Sequence, residues 1–393
     1  MGATEINRWL LHEGRVFATV PELLEAFAAK LCEVGAMDRM WCGTKVLHPQ
    51  AAAYLWVWRP GAPLFEGEIS YDRFASMDSV DSPIQRLRLG APFVRFNRAR
   101  DPEPGLADIS DLWEQGYSDY YGLTLRFRGE FVGAMTWSTR AESGFDADDI
   151  ALFDAILPTF CAVFEPLARD LVSASLLCAY LGDDAGRRVA AGQVRRGDRQ
   201  TQSAAVWFCD VRGFTQKSTE LSRPELLDLL NDVFEVVVTG SRTHGGQVLK
   251  FLGDGVLIVF ADAEGPDAER DACRRATAAA DDVQDRLAAL RASRAERGLS
   301  TAEVGIGLHH GEFTYGNVGS PNRLDFTVIG HSVNVAARVE ALCRTLGEDV
   351  LASENFASHS AGWRRLGEHA LKGVAAPMTI FGRDRTSASP LAE

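Results

Sequence analysis

Two aspartates give the first sign of chemistry. Asp210 closes the apolar run SAAVWFCD, and Asp254 stands between two glycines in KFLGDG, one step before the apolar run VLIVF. Two carboxylates brought together at adjacent strand ends repel each other unless a cation lies between them. Oxygen ligands suit Mg2+ or Mn2+, and Mg2+ is typically held by one or two carboxylates plus substrate phosphates. The glycines beside Asp254 allow a tight turn and let a large ligand approach the backbone. An Asp-Gly hairpin turn needs no chemistry at all, so GDG gains weight only through Asp210.

The elements that must bring these residues together begin near residue 203. SAAVWFCDVRG reads as an apolar strand. SRPELLDLLNDVFEVVVTGSRTHGG reads as a helix whose end is marked by two glycines. QVLKFLGDGVLIVFAD is a hairpin turning at Gly253 to Gly255, DAERDACRRATAAADDVQDRLAALRASRAERG is a long helix, and AEVGIGLHHGEFTYGNVGS is a further strand pair. This order predicts an α+β class with an α/β sandwich of ferredoxin-like character, helices covering one face of a largely antiparallel sheet. His309 and His310 are adjacent on a strand and so point to opposite faces, which favours structural roles over a shared metal.

The first half mixes helix and strand signals. TVPELLEAFAAKLCEVG has helical periodicity, AAAYLWVWRP alternates like a strand, and GLTLRFRGEFVGAMTWSTR reads as two strands around Gly129. GFDADDIALFDAIL starts a helix that Asp146 can cap. Residues 164–183 continue helically with a stripe of Leu167, Leu171, Ala174, Leu177 and Tyr180, suited to parallel pairing of two chains, and Pro166 is expected to mark a break or a first turn. Residues 184–202 are Arg- and Gly-rich and read as a linker, with Arg195, Arg196 and Arg199 solvated. The expected domains are 1–163, a connector at 164–202, a second domain at 203–383 and a tail at 384–393.

Composition excludes some classes of function. The 393 residues carry a net charge of -13, with 46% hydrophobic and 24% charged residues. That argues against binding nucleic acid by bulk phosphate neutralisation. The N-terminus lacks a signal-peptide layout. The run ALFDAILPTFCAVF, interrupted by Asp154 and Pro158, is too short for a membrane span. The seven cysteines are scattered without a CxxC pair, which fits a reducing cytoplasm. Only five lysines occur among 41 basic residues, so Lys250 and Lys372 stand out.

Four stretches taken together are specific. FCDVRGFT (208–215), VLKFLGDGVLIVF (248–260), GLHHGEFTYGNVGS (307–320) and DFTVIGHSVNVAARVE (325–340) resemble, in order, the class III nucleotidyl cyclase catalytic domain. The resemblance implies a homodimer whose active sites are each built from both chains, with two Mg2+ or Mn2+ ions per site. It implies metal binding by Asp210, Asp254 and the backbone carbonyl of Val211. Asn334 then positions the ribose, and Arg338 stabilises charge at the transferring phosphorus. Lys372 holds the terminal phosphates, with Arg323 as a looser phosphate contact. Lys250 and Thr327 match the base-reading pair. An ammonium only donates hydrogen bonds; adenine N1 accepts one, whereas guanine N1 carries a hydrogen. Lys250 therefore favours ATP. Threonine at 327 resembles the bacterial branch of the family often reported to respond to bicarbonate. The implied reaction makes 3',5'-cyclic AMP and pyrophosphate, with a guanylate cyclase or a non-catalytic nucleotide-binding module as alternatives.

The end of the first half resembles a GAF domain, a small-molecule or light-sensing fold often found before cyclases. This implies a sensor with a possible small-molecule ligand. Trp41, Trp56, Trp58, Trp113 and Trp137 are either pocket or core aromatics. Cys32 and Cys42 are the thiols at hand, with no attachment motif around either.

Overall fold

In the computed structural model, residues 2–35, 37–76, 80–197 and 199–385 are described. The chain divides into two compact units, Met1–Ala179 and Tyr180–Glu393. Both are mixed α and β.

The first unit is built on a six-stranded antiparallel sheet of β1 (Arg39–Lys45), β2 (Ala51–Trp58), β3 (Phe65–Ser70), β4 (Phe93–Asn97), β5 (Asp119–Phe127) and β6 (Glu130–Thr139), in the order β3-β2-β1-β6-β5-β4. Its helices are α1 (Ala3–His12), α2 (Val20–Glu33), α3 (Tyr71–Ser76), α4 (Pro83–Arg88), α5 (Ala107–Glu114) and α6 (Ala147–Leu181). Thr19 and Glu22 form a capping box at the start of α2, which buries Leu23, Leu24, Phe27 and Leu31. These side chains join Trp56, Trp137, Phe153 and Phe160 in one core. A second cluster, on α4, α5, β4 and β5, holds Leu87, Val94, Ile109, Trp113 and Tyr120. The β5–β6 turn places Arg128 and Gly129 at φ 52 and 85, as a two-residue hairpin loop requires.

Helix α6 departs from the sequence reading. Pro158 and Pro166 both lie inside one continuous 35-residue helix, so Pro166 marks no break. The tertiary burial of Phe160, Phe164 and Ala168 on either side of it outweighs the lost backbone bond. By length and composition α6 is also apolar enough to cross a membrane, contrary to the span estimate made from the shorter run. Its first half is core: Phe153, Ile156, Leu157, Phe160 and Phe164 are buried. Of the expected stripe, Leu167 and Leu171 pack on that core, whereas Tyr180 is 81% exposed.

The second unit contains α7 (Asp183–Ala190), β7 (Arg199–Val211), α8 (Phe214–Glu220), α9 (Arg223–Thr243), β8 (Gln247–Leu252), β9 (Gly255–Ala261), α10 (Ala268–Glu296), β10 (Val304–Ser320), β11 (Arg323–Ile329), α11 (His331–Ala341), α12 (Cys343–Leu346), β12 (Val350–Ser353), α13 (Glu354–Ala357), β13 (Trp363–His369) and β14 (Met378–Arg383). The eight-stranded sheet runs β13-β14-β12-β10-β7-β9-β8, with β11 paired to β10. Its pairings are antiparallel except β10 with β12.

Three expectations change here. Residues 304–320 form one long strand rather than a strand pair, and its hairpin partner is β11. The stretch expected as a linker holds α7 and the first residues of β7, because Ala185 has a place in a core with Val206 and Tyr315. Helices cover both faces of the sheet, not one. Val304, Ile306 and Leu308 face α9 and α10, while α11 lies against the glycines that alternate with them. A Cβ on Gly307 would stand 2.3 Å from the Glu340 backbone nitrogen. Those glycines let the α11 backbone sit directly on the sheet. Of the expected tail, 386–393 lie outside the described residues; the Asp384 N–H donates to the Gly362 carbonyl at 2.9 Å.

Candidate active site

Asp210 is the last but one residue of β7, in the middle of a row across three strands. It lies opposite Gly255 of β9 on one side and Gly305 of β10 on the other. Neither neighbour has a side chain, so the carboxyl has room on both flanks. Asp254 occupies the β8–β9 turn, where Gly253 takes φ 69. The Val211 N–H donates to the Asp254 carbonyl at 3.2 Å, which ties the strand end to the turn.

The two carboxylates repel as the sequence suggests. Burial first, and the charge of Asp254 second, push the Asp210 carboxyl up to about 6. A third acid, not foreseen, closes the group. Glu340 of α11 reaches the space that Gly305 leaves: a Cβ there would stand 2.5 Å from Glu340 Oε1. Burial and then Asp210 raise Glu340 to about 7, against the opposing pull of Arg212. Arg212 in turn donates to the Glu348 carbonyl and pairs with Asp349 at 3.1 Å. A partly buried group of carboxylates with repelling charges is a setting for a hard divalent cation.

The other expected residues gather elsewhere. Lys250 of β8 is ion-paired with Asp325 of β11. Thr327 lies two residues on from Asp325 and so on the same face of β11. Asn334 and Arg338 are both exposed on α11, one turn apart. Arg323 and Lys372 are exposed. Among the described residues, no side chain pairs with Arg323, Arg338 or Lys372. The nine residues thus form a carboxylate group, a lysine–aspartate group and a set of outward-facing side chains, rather than one closed cluster. Asp325 could have been found from its spacing to Thr327. Glu340 could not, since only the contact of α11 with Gly305 and Gly307 brings it in.

Residues 198–373 match the family model of the adenylate and guanylate cyclase catalytic domain. They form a class III nucleotidyl cyclase domain. The cyclase domain is similar to an adenylate cyclase of Anabaena cylindrica, 32% identical over 160 residues, covering 40% of this chain and 31% of that one. The chain spans between 31% and 44% of the length of the curated relatives it matches. Among solved structures, the adenylyl cyclase CyaB of P. aeruginosa is 30% identical, with 47% of this chain and 95% of that one covered at TM-score 0.42. The guanylyl cyclase Cya2 is 28% identical, with 50% and 100% covered at TM-score 0.41.

Upstream of the cyclase domain, the first unit holds a small, open-mouthed, mostly apolar pocket lined by Trp41, Tyr54, Phe74, Ile84 and Phe131 together with Lys45 and Arg88. Trp41 is the one of the five expected tryptophans that lines it. Trp56, Trp113 and Trp137 are core residues, and Trp58 packs against the core. Cys42 is buried, and burial pushes its thiol far above the usual range, which makes it a poor nucleophile.

Proposed function

We propose that the protein is an adenylate cyclase, converting ATP to 3',5'-cyclic AMP and pyrophosphate, acting as a homodimer and regulated by a GAF-like sensor in its first half. The observation that carries this reading is the meeting of Asp210 and Asp254 at neighbouring strand ends of a cyclase domain. Asp210, Asp254 and the Val211 carbonyl offer an all-oxygen donor set that fits Mg2+ or Mn2+. When bound, such ions supply Lewis acidity that favours ionisation of the ribose 3'-hydroxyl and offset phosphate charge.

The chain's own side chains do the rest. Asn334 holds the ribose, fixing the 3'-oxygen in line with the α-phosphorus. Arg338, permanently charged, faces the phosphorus where negative charge grows. Lys372 and Arg323 hold the outgoing pyrophosphate oxygens. No covalent enzyme intermediate is needed. Each site takes its carboxylates from one protomer and Asn334, Arg338 and Lys250 from the other, in keeping with the outward-facing set on a single chain. Exposed apolar residues beside that set, Phe251, Leu252, Val318, Leu324 and Ile329, suit a surface covered by a second copy.

Lys250 selects the base. Its ammonium donates to adenine N1, and Thr327 accepts from the adenine amino group. A second reading, a guanylate cyclase, is favoured by Asp325, an acceptor next to Lys250 that guanine N1–H could use. Lys250→Glu removes the donor and adds an acceptor. It is expected to lower kcat/KM for ATP by about tenfold to a hundredfold and to raise the GTP-to-ATP preference. An unchanged base preference would remove Lys250 from the base site.

The deciding experiment is product formation by the full chain with ATP or GTP and Mn2+ or Mg2+, with Asp254→Ala beside it. Cyclic AMP from the parent and none from the variant is the expected result. Nucleotide binding with no cyclic product under any condition, including with the whole second unit, residues 180–393, alone at high concentration, would make the domain a binding module.

A further inference from the structure

Two histidines, His310 and His359, meet in the cyclase domain on the opposite face of the sheet from Asp210. His310 of β10 is only 6% exposed, on the α10 side of the sheet. Its imidazole lies 5.6 Å, centroid to centroid, from that of His359, just after α13. His359 Nε2 is 3.4 Å from Glu269 Oε2 in the first turn of α10. One ligand atom from each of Glu269, His310 and His359 falls within 4.8 Å of the others. Asp262, past the end of β9, holds His310 Nε2 at 3.1 Å through both carboxylate oxygens. His309, adjacent to His310 but on the other face of the strand, takes no part in this group. His309 bonds Ser353 at 2.7 Å, and burial together with its histidine neighbours lowers it to about 4.

We propose that Glu269, His310 and His359 bind a divalent transition-metal ion of the zinc class, separate from the catalytic carboxylates. Two imidazoles and a carboxylate are the donor set of three-ligand zinc sites, with the remaining position left to water. Ligand atoms at about 2.0–2.1 Å from such an ion stand roughly 3.3–3.5 Å apart in a tetrahedron. The group needs closure by little more than an ångström, which the half-exposed His359 and exposed Glu269 can supply by rotation. Asp262 orients the His310 ring, as carboxylates do beside metal-binding histidines. The donor sets separate the two kinds of site: imidazole suits zinc, nickel or copper, whereas the all-oxygen set at Asp210 suits magnesium or manganese. An ion here joins the start of α10, the centre of β10 and the segment leading to β13, so it stabilises the domain without touching substrate.

The test uses the full chain carrying Asp210→Asn, which removes one catalytic ligand. Titration with Zn2+ followed by calorimetry, and with Co2+ followed by its visible absorption, is expected to show one ion per chain and a rise in Tm. His359→Ala and Glu269→Gln, both at accessible positions, are expected to weaken Zn2+ binding by at least about tenfold and to abolish the Tm rise, while circular dichroism stays that of the parent. Absence of stoichiometric binding would overturn the proposal. So would binding that neither substitution weakens. Either result leaves the cyclase reading untouched, because the assay contains no nucleotide.

Discussion

Chains carrying Asp254→Ala and chains carrying Arg338→Ala, each nearly inactive alone, are expected to recover about a quarter of the parent activity when mixed. Arg338→Ala alone should lower turnover by about 10²–10³-fold, the usual effect of removing one preorganised charge donor. The rescue follows from placing the carboxylates and Arg338 of one site on different protomers. Random pairing makes half of the dimers mixed. In each mixed dimer one site carries both lesions and the other carries neither. Differently tagged chains, co-expressed and purified as the mixed dimer, should reach about half of the parent value. The exposed position of Arg338 on α11, with no pairing side chain among the described residues, is what the shared site requires. A purified mixed dimer with no more activity than its parents would place Asp254 and Arg338 in the same site of the same chain.

The meeting of Asp210 and Asp254 was legible because both stand at points where local chemistry is unambiguous. A carboxylate at the end of an apolar strand and a GDG turn are readable without a fold, and β7, β8, β9, α9 and α10 form where the periodicity places them. The hairpin at Gly129 and the helix cap at Asp146 were legible for the same reason. What escaped depends on contacts between distant segments. Pro166 looks like a helix break until the burial of Phe164 and Ala168 beside it is known. The stretch 304–320 looks like two strands because its glycines imitate a turn, whereas Gly305 and Gly307 serve the close approach of α11. Glu340 reads as one more charge on a helix. His359 reads as a loop histidine, because nothing in the order of residues brings it to His310.

Asp210→Asn is expected to abolish cyclic nucleotide formation and, at the same time, to raise the Tm of the metal-free protein. The carboxyl of Asp210 is held up at about 6, above the 3.8 of an unperturbed aspartate. Between those values the folded chain binds more protons than the unfolded one, so stability from this group falls as pH rises and is lowest above about 6. Glu340, raised from 4.5 to about 7, has the same sign, and Asp210 is one of the causes. Amide in place of carboxylate removes both the desolvated charge and its push on Glu340. The Tm difference between variant and parent should therefore be near zero at pH 4, grow through pH 6, and level off near pH 7. Each kcal/mol of relieved repulsion appears as about 2–4 °C. Saturating Mg2+ should close the gap, because a cation at Asp210 and Asp254 relieves the parent and finds fewer ligands in the variant. Calorimetric melts of the two proteins across this range, with and without Mg2+, read the prediction directly. A variant less stable than the parent at neutral pH would show that Asp210 supports the fold as a hydrogen-bonding group. One more stable but still active would remove it from the metal site. The expected combination, a domain that gains stability as it loses catalysis, is what a strained carboxylate kept for chemistry should produce.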